Sequence, residues 1–424
     1  MKIRPIMLTV AAAGLSLALA ACTPAATPTP SDPPTNSESA PPATSAAPTA
    51  VTLTVWAPQE DQADANSWLP KQQAAFAAAH PEFTITWKNA VVSEGDAANT
   101  VQQDPAAAAD VYLFANDQLG RLIQSNAIGT LSPDVEAQVK AANSDVMITS
   151  LTGPSGRLYG VPYTANTWFM YYNTDIFTAD DVKNLDTMLA KGKVAFPLDT
   201  AWYIASWYLG NGATLFGADG TDEAAGINFA GDNATAVTKY LVELVKNKNF
   251  VNDANNAGLA GLQDGSIGAY FSGSWHVGDV SGALGDKYGA AQPPTFTLDG
   301  KEVQMLAFAG SKAAAFNPNS AAPQAASMFA AFLGSTQAQQ DHFDMRGIIP
   351  SDSTLATNAA VAASPVAIAQ MDTVNNASAL QPTVAAMGNF WDPSQTFGRA
   401  LLAGDVTAAN AAEKTEQWNS SMAG

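Results

Sequence analysis

The sequence predicts an α/β fold in two lobes, on three observations. Segments with the two-residue period of strands alternate with segments of helical period along most of the chain, which argues for parallel sheets covered by helices. The chain has 424 residues, 47% of them hydrophobic and 13% charged, enough for more than one packed core. No self-similarity at a period of roughly 20 to 50 residues is visible, which sets solenoids and propellers aside.

The chain opens with a short basic segment, "MKIRP", and an apolar run over residues 6–21 that is too short for a membrane span. The run ends in Leu19-Ala20-Ala21-Cys22, the pattern of a lipobox, so residues 1–22 read as a lipoprotein signal peptide with Cys22 as the lipidated residue. Cys22 is also the only cysteine, which leaves it no internal disulfide partner. Residues 23–50 hold eight Pro among Ala, Ser and Thr, a composition that buries no core and favours extended conformations. They read as a disordered tether that reaches at most roughly 90 Å.

The folded part is expected from about Val51. "VTLTVWAPQ" puts Val51, Leu53 and Val55 on one face of a strand that ends at a Pro. "SWLPKQQAAFAAAH" reads as a helix capped by Ser67, with Leu69, Phe76 and Ala79 along one side. "EFTITWKN" and "ADVYLFAND" read as the second and third strands. "DNATAVTKYLVELVKNKNF" has Asp232 or Asn233 as a cap ahead of Val237, Leu241, Leu244 and Val245 at helical spacing. "SIGAYFSGSW", "VQMLAFAG" and "KAAAF" supply further strands, and from Ser320 onward the pattern is mainly helical, interrupted at "RGIIPSDS".

With 19 Lys and Arg against 38 Asp and Glu, the net charge is −19, which repels nucleic acid and anionic lipid surfaces alike. HExxH, the Walker A loop, GxGxxG and GxSxG are all missing from the sequence. His80, His276 and His342 lie far apart and read as locally bonded residues, so neither a metal nor a cofactor is expected. Glu60, Asp61 and Asp64 follow the first strand closely. Paired carboxylates can hydrolyse glycosides, but an acidic loop is more simply a solvated one.

The aromatics stand out by position. Trp56, Trp202, Tyr203, Trp275 and Trp391 fall at strand ends or turns beside polar residues, in "VWAPQED", "DTAWYIAS", "SGSWHV" and "GNFWDPSQ". In open α/β sheets that is where ligand clefts form. A sugar ring suits such a cleft, because its C–H faces lie flat on aromatic rings while its hydroxyls need the paired sites of Asp, Glu, Asn and Gln.

"GRLYGVPYTANTWFMYYNTDIF" resembles the signature of family 1 extracellular solute-binding proteins, the carbohydrate receptors of ABC importers. The likeness to the maltose/maltodextrin-binding branch runs over essentially all of residues 51–424. It implies that the aromatic-rich stretch crosses between lobes and floors the cleft. It also places an aromatic, an Ala and a hydroxyl-binding Asp on Phe114, Ala115 and Asp117, hydroxyl binding on Glu60 or Asp61, and three stacking aromatics on Trp202, Trp275 and Trp391. Tyr203 adjoins the first of these. Gln118 stands where the best-known maltose receptors carry Arg, and Asn166 where they carry Glu.

The resemblance implies two Rossmann-like lobes joined by a three-segment hinge, the type II periplasmic-binding-protein arrangement. One lobe is expected from 51–165 with 308–347, the other from 166–307 with 348–424. The expected protein is a non-enzymatic, monomeric receptor, anchored by Cys22 on the extracellular face of the cytoplasmic membrane. It would carry a malto-oligosaccharide, or else another gluco- or galacto-oligosaccharide, to separate permease subunits. A lipid-anchored glycoside hydrolase and a cell-wall adhesin are the readings from other classes.

Overall fold

The computed structural model describes residues 47–104, 107–217 and 220–423. The signal peptide, Cys22 and all but the end of the tether lie outside the described residues. The strand expected from Val51 begins earlier, at Thr49, so the last two residues assigned to the tether belong to the sheet.

Ten strands form two central sheets. They are β1 Thr49–Ala57, β2 Phe83–Val91, β3 Val111–Ala115, β4 Val161–Ala165, β5 Phe169–Asn173, β6 Val194–Phe196, β7 Phe250–Asn252, β8 Ala269–Ser272, β9 Tyr288–Ala291 and β10 Ser311–Phe316. The first sheet has the order β2-β1-β3-β10-β4 and the second the order β9-β5-β8-β6-β7.

The sheets are mixed rather than purely parallel as expected. In the first, β10 runs antiparallel to β3 and β4. In the second, β5 runs antiparallel to β8 and β9. β5 follows directly from β4 of the first sheet, and β10 follows the strand Ala307–Ala309, which pairs in a separate two-stranded sheet. Only residues 166–168 separate β4 from β5, and only Gly310 separates the strand Ala307–Ala309 from β10. A third passage follows the helix Thr336–Arg346, where Pro350 bridges back to Thr164 of β4. Further on, Ser378–Leu380 pairs in parallel with Ala307–Ala309.

The central strands of both sheets are covered on both faces, which explains the dense aromatics. Along β3, Val111 and Leu113 face one core while Tyr112 and Phe114 face the other. Along β5, Met170 and Tyr172 enter one core and Phe169 and Tyr171 another. This is the two-residue alternation of a strand with apolar layers above and below. The same alternation corrects the placement of Trp56. Val51, Leu53 and Val55 pack on one side as expected, and Trp56 turns to the opposite core, 6.1 Å from Tyr112 and away from the cleft.

Helix starts depart from the expected caps in two places. Ser67 does precede the helix Trp68–Ala79, but its hydroxyl accepts from the Asp64 backbone N–H instead of capping. The helix expected to be capped by Asp232 or Asn233 starts at Gly231.

Candidate functional site

A cleft of about 730 Å³ opens between the ends of the two sheets, with Thr164, Ala165 and Asn166 of the first crossing among the residues that line it. Its two walls are chemically different.

One wall is aromatic. Trp202, Trp275 and Trp391 all line the cleft and are partly exposed. Each sits at or just before the start of a helix: Trp202 is second in Ala201–Gly210, Trp275 lies in the turn Ser274–His276 ahead of Val277–Leu284, and Trp391 is fourth in Gly388–Ala403. A first-turn side chain projects past the end of its helix, so the body of each helix packs while the indole stays accessible. Trp202 and Trp275 lie 6.1 Å apart at 35°, and Phe308 and Phe390 back Trp391 edge-on. Gly273 is needed where it stands, because a Cβ there would meet the Trp275 ring at 2.0 Å.

The other wall is polar and mostly paired. Asp61 is buried and binds His342 Nε2 at 2.9 Å and the Arg346 guanidinium. Burial alone would raise its carboxyl, but His342 and the Arg346 guanidinium beside it outweigh that and hold it at about 2. His342 and Arg346 sit one turn apart on Thr336–Arg346, and the imidazole stacks on Trp68 at 4.2 Å. Glu94 accepts from Tyr163 Oη at 2.7 Å and from Lys312 Nζ at 3.3 Å. Burial opposes its ionisation, yet Lys312 and the hydrogen bonds keep it below the usual carboxylate range. Lys312 also lies 5.2 Å from the Trp275 ring centre, so a side chain of the first sheet touches the aromatic wall.

Asp117 differs from these carboxylates. It follows β3 in the turn Asn116–Gln118, and its side-chain partner is the Gln118 amide at 2.7 Å. Burial raises its carboxyl to about 6, only partly offset by Gln118, Arg121 and Lys312. Gln118 accepts in turn from Arg121 at 2.8 Å. A guanidinium therefore does reach the cleft, three residues beyond Gln118.

Of the residues singled out from the sequence, Glu60, Asp61, Ala115, Asp117, Gln118, Asn166, Trp202, Trp275 and Trp391 line the cleft together. Two do not. Phe114 is fully buried, 6.2 Å from Tyr112, because alternation along β3 turns Ala115 and not Phe114 to the cleft. Tyr203 stacks on Trp168 at 5.0 Å in the core, since one helical step rotates it away from Trp202.

The cleft also contains Glu94, Arg121, Lys312, His342, Arg346, Gln381 and Asp392, none of which was singled out as a cleft residue. Arg121 was recoverable from its spacing to Gln118, and His342 with Arg346 from their four-residue spacing. Gln381 carries no local signal at all. His80 and His276 lie elsewhere, bonded to Glu82, and to Tyr270 and Ser272. Among the described residues there is no cluster of His, Cys, Asp or Glu able to hold a metal ion, and no helix long and apolar enough to cross a membrane.

The family model described as bacterial extracellular solute-binding protein matches residues 71–369. A maltooligosaccharide ABC transporter solute-binding lipoprotein of Streptococcus pneumoniae (strain ATCC BAA-255 / R6) is 27% identical over 321 residues, covering 72% of this chain and 74% of its own. A solved structure with acarbose is 49% identical with a TM-score of 0.85, covering 88% of this chain and 98% of that one. The maltodextrin-binding protein MalE1 from L. casei BL23, without ligand, is 28% identical with a TM-score of 0.79 over 89% of this chain and 100% of its own.

Proposed function

Because this chain belongs to the bacterial extracellular solute-binding protein family, we propose that it captures a malto-oligosaccharide in its cleft and delivers it to an ABC importer. The observation that carries this reading is the pairing of three partly exposed tryptophans with an opposing wall of carboxylates and amides. Aromatic faces attract the C–H surfaces of glucose units, and the polar wall takes their hydroxyls. The chain is a binding protein rather than an enzyme, and its permease and ATPase are separate proteins.

The sugar stacks on Trp202, Trp275 and Trp391 and reaches Glu60, Asp117 and Gln118 across the cleft. The lobes are 51–165 with 308–347 and 166–307 with 348–424, the first extended by the two residues by which β1 begins before 51. Hinge motion at the crossings closes them, because the sugar touches both walls at once only in the closed form, and this contact shifts the equilibrium. Closure is what the permease reads. Lipid on Cys22 holds the receptor, as a monomer, at the extracellular face of the membrane, where the tether lets it reach its transporter. The relatives' names and the acarbose structure support this reading.

Calorimetric titration of residues 47–424 with maltose, maltotriose, longer maltodextrins, acarbose, raffinose and lactose, followed by product analysis, tests the proposal. Saturable binding of the gluco-oligosaccharides without hydrolysis is expected. Preference for raffinose or lactose would reassign the ligand to a galacto-oligosaccharide, and released monosaccharide would make the protein a glycosidase.

A further inference from the structure

We infer that Gln381 is a specificity-determining residue whose carboxamide nitrogen donates hydrogen bonds to a sugar oxygen at the floor of the cleft. The inference rests on the reading of the cleft as a carbohydrate site.

Gln381 lies just past the strand Ser378–Leu380 and is 1% exposed, yet it lines the cleft. Its main chain is pinned on both sides: its N–H donates to Ala309 O at 2.8 Å and its C=O accepts from Asn116 Nδ2 at 3.2 Å. Asn116 is itself held close to the second crossing, since a Cβ on Gly310 would meet its side-chain oxygen at 2.2 Å. The side chain is equally constrained, because Gln381 Oε1 accepts from Trp202 Nε1 at 3.1 Å and from Asn166 Nδ2 at 3.3 Å.

An indole N–H donates and never accepts. The atom facing Trp202 must therefore be the oxygen, and the amide cannot flip without placing donor against donor. Its Nε2, with two N–H bonds to give, has no hydrogen-bond partner among the described residues and is not sealed from the cleft. A buried amide with its acceptor used twice and its donors unused is costly unless something else accepts.

The surrounding chemistry indicates what that acceptor is. The cationic donors on the opposite wall are already engaged: Arg346 with Asp61, Lys312 with Glu94, and Arg121 with Gln118 and Asn99. Glu60, Asp117 and Asp392 add acceptors. A sugar hydroxyl has one hydrogen to give and an oxygen that accepts. The carboxylates take the hydrogens, and Gln381 supplies N–H groups to an oxygen beside the Trp202 ring. Since Trp202 orients Gln381, the stacking residue also fixes a polar contact, and the amide presents the same donor before and after the sugar enters.

The test is titration of the full chain in detergent with maltotriose and with a series of its monodeoxy analogues. Wild type is compared with Gln381→Glu at pH 8 and with Gln381→Met. Glu keeps an oxygen for Trp202 and Asn166 but removes the N–H donors, whereas Met removes both. Both variants are expected to bind maltotriose at least tenfold more weakly than wild type. One deoxy position should weaken wild type several-fold yet leave Gln381→Glu unaffected, because its partner is already gone. Equal affinity in wild type and Gln381→Glu would overturn the inference. So would losses that add at every deoxy position, which would reduce Gln381 to a structural role. A wild type that binds no malto-oligosaccharide would instead overturn the functional reading, which separates the two failures.

Discussion

The two walls of the cleft are attached to the protein in different ways. Asp61 joins the first loop to the helix Thr336–Arg346 through His342 and Arg346, and Glu94 joins Tyr163 of β4 to Lys312 of β10. Those contacts link segments more than 65 residues apart in sequence, so they belong to the tertiary structure around the first sheet. The tryptophans opposite stand at helix starts, with the helices beneath them packed by other residues. The polar wall is therefore built into the fold, whereas the aromatic wall is set upon it. Substitutions on the first should cost stability, and on the second, affinity.

The sharpest way to break that contrast is at Asp61. Replacing it by Ala leaves His342 buried beside an unanswered guanidinium and should destabilise the protein by ~2–4 kcal/mol, measured by urea unfolding of the sugar-free form. The acid limb gives an independent reading. The Asp61 carboxyl is lowered to about 2 in the folded protein, so its contribution is complete above the unfolded value of about 4 and is lost as pH falls towards 2. Asp61→Asn should flatten that part of the stability profile. An unchanged urea midpoint in Asp61→Ala would mean that the polar wall, like the aromatic one, is dispensable to the fold.

The converse belongs to Trp391. Its ring is partly exposed and rests edge-on against Phe308 and Phe390. Trp391→Ala should weaken oligosaccharide binding by ~1–3 kcal/mol, as loss of a stacking anchor does. Stability should change by less than about 1 kcal/mol, because the helix below remains packed. Wild-type affinity in this variant would remove Trp391 from the site, and a stability loss as large as that of Asp61→Ala would erase the distinction between the walls.

The same contrast explains what was legible in the sequence. The tryptophans could be read because each is large, sits at an element boundary and has polar neighbours in the chain. The first crossing was legible only through the family resemblance of the stretch around Asn166, which joins β4 to β5. Phe114 and Tyr203 were misplaced by one position, since a strand or helix step decides which neighbour faces the cleft and a motif alone does not fix that step. Trp56 failed for the same reason. The partners that hold the polar wall stayed hidden because their contacts are long-range. Asp61 meets His342 281 residues away, and Gln381 meets Trp202 across 179. A pairing over such distances leaves no local pattern. The mixed direction of the sheets was equally invisible, because it depends on which sheet a short crossing enters.

Asp117 belongs to the polar wall but carries no cation of its own, and it gives the smallest and most discriminating prediction. Burial raises its carboxyl to about 6. For a raised acid the folded state favours the proton, so stability falls as pH rises from the unfolded value of about 4 to about 6 and stays lowered above that. Asp117→Asn should therefore stabilise the sugar-free protein at pH 7.5 by about 1–2 kcal/mol, allowing for partial exposure of the side chain, with no gain below about pH 4. Affinity should move the other way. If the carboxylate accepts sugar hydroxyls, wild-type binding weakens several-fold between pH 7.5 and pH 5, while Asp117→Asn binds more weakly at pH 7.5 and shows no such pH dependence. Melting curves and calorimetric titrations at the two pH values check both halves. Tighter binding at pH 5 would mean that the protonated acid donates to the sugar. A loss of stability in Asp117→Asn at pH 7.5 would place Asp117 with Asp61, as part of the fold rather than a group held in strain for the ligand.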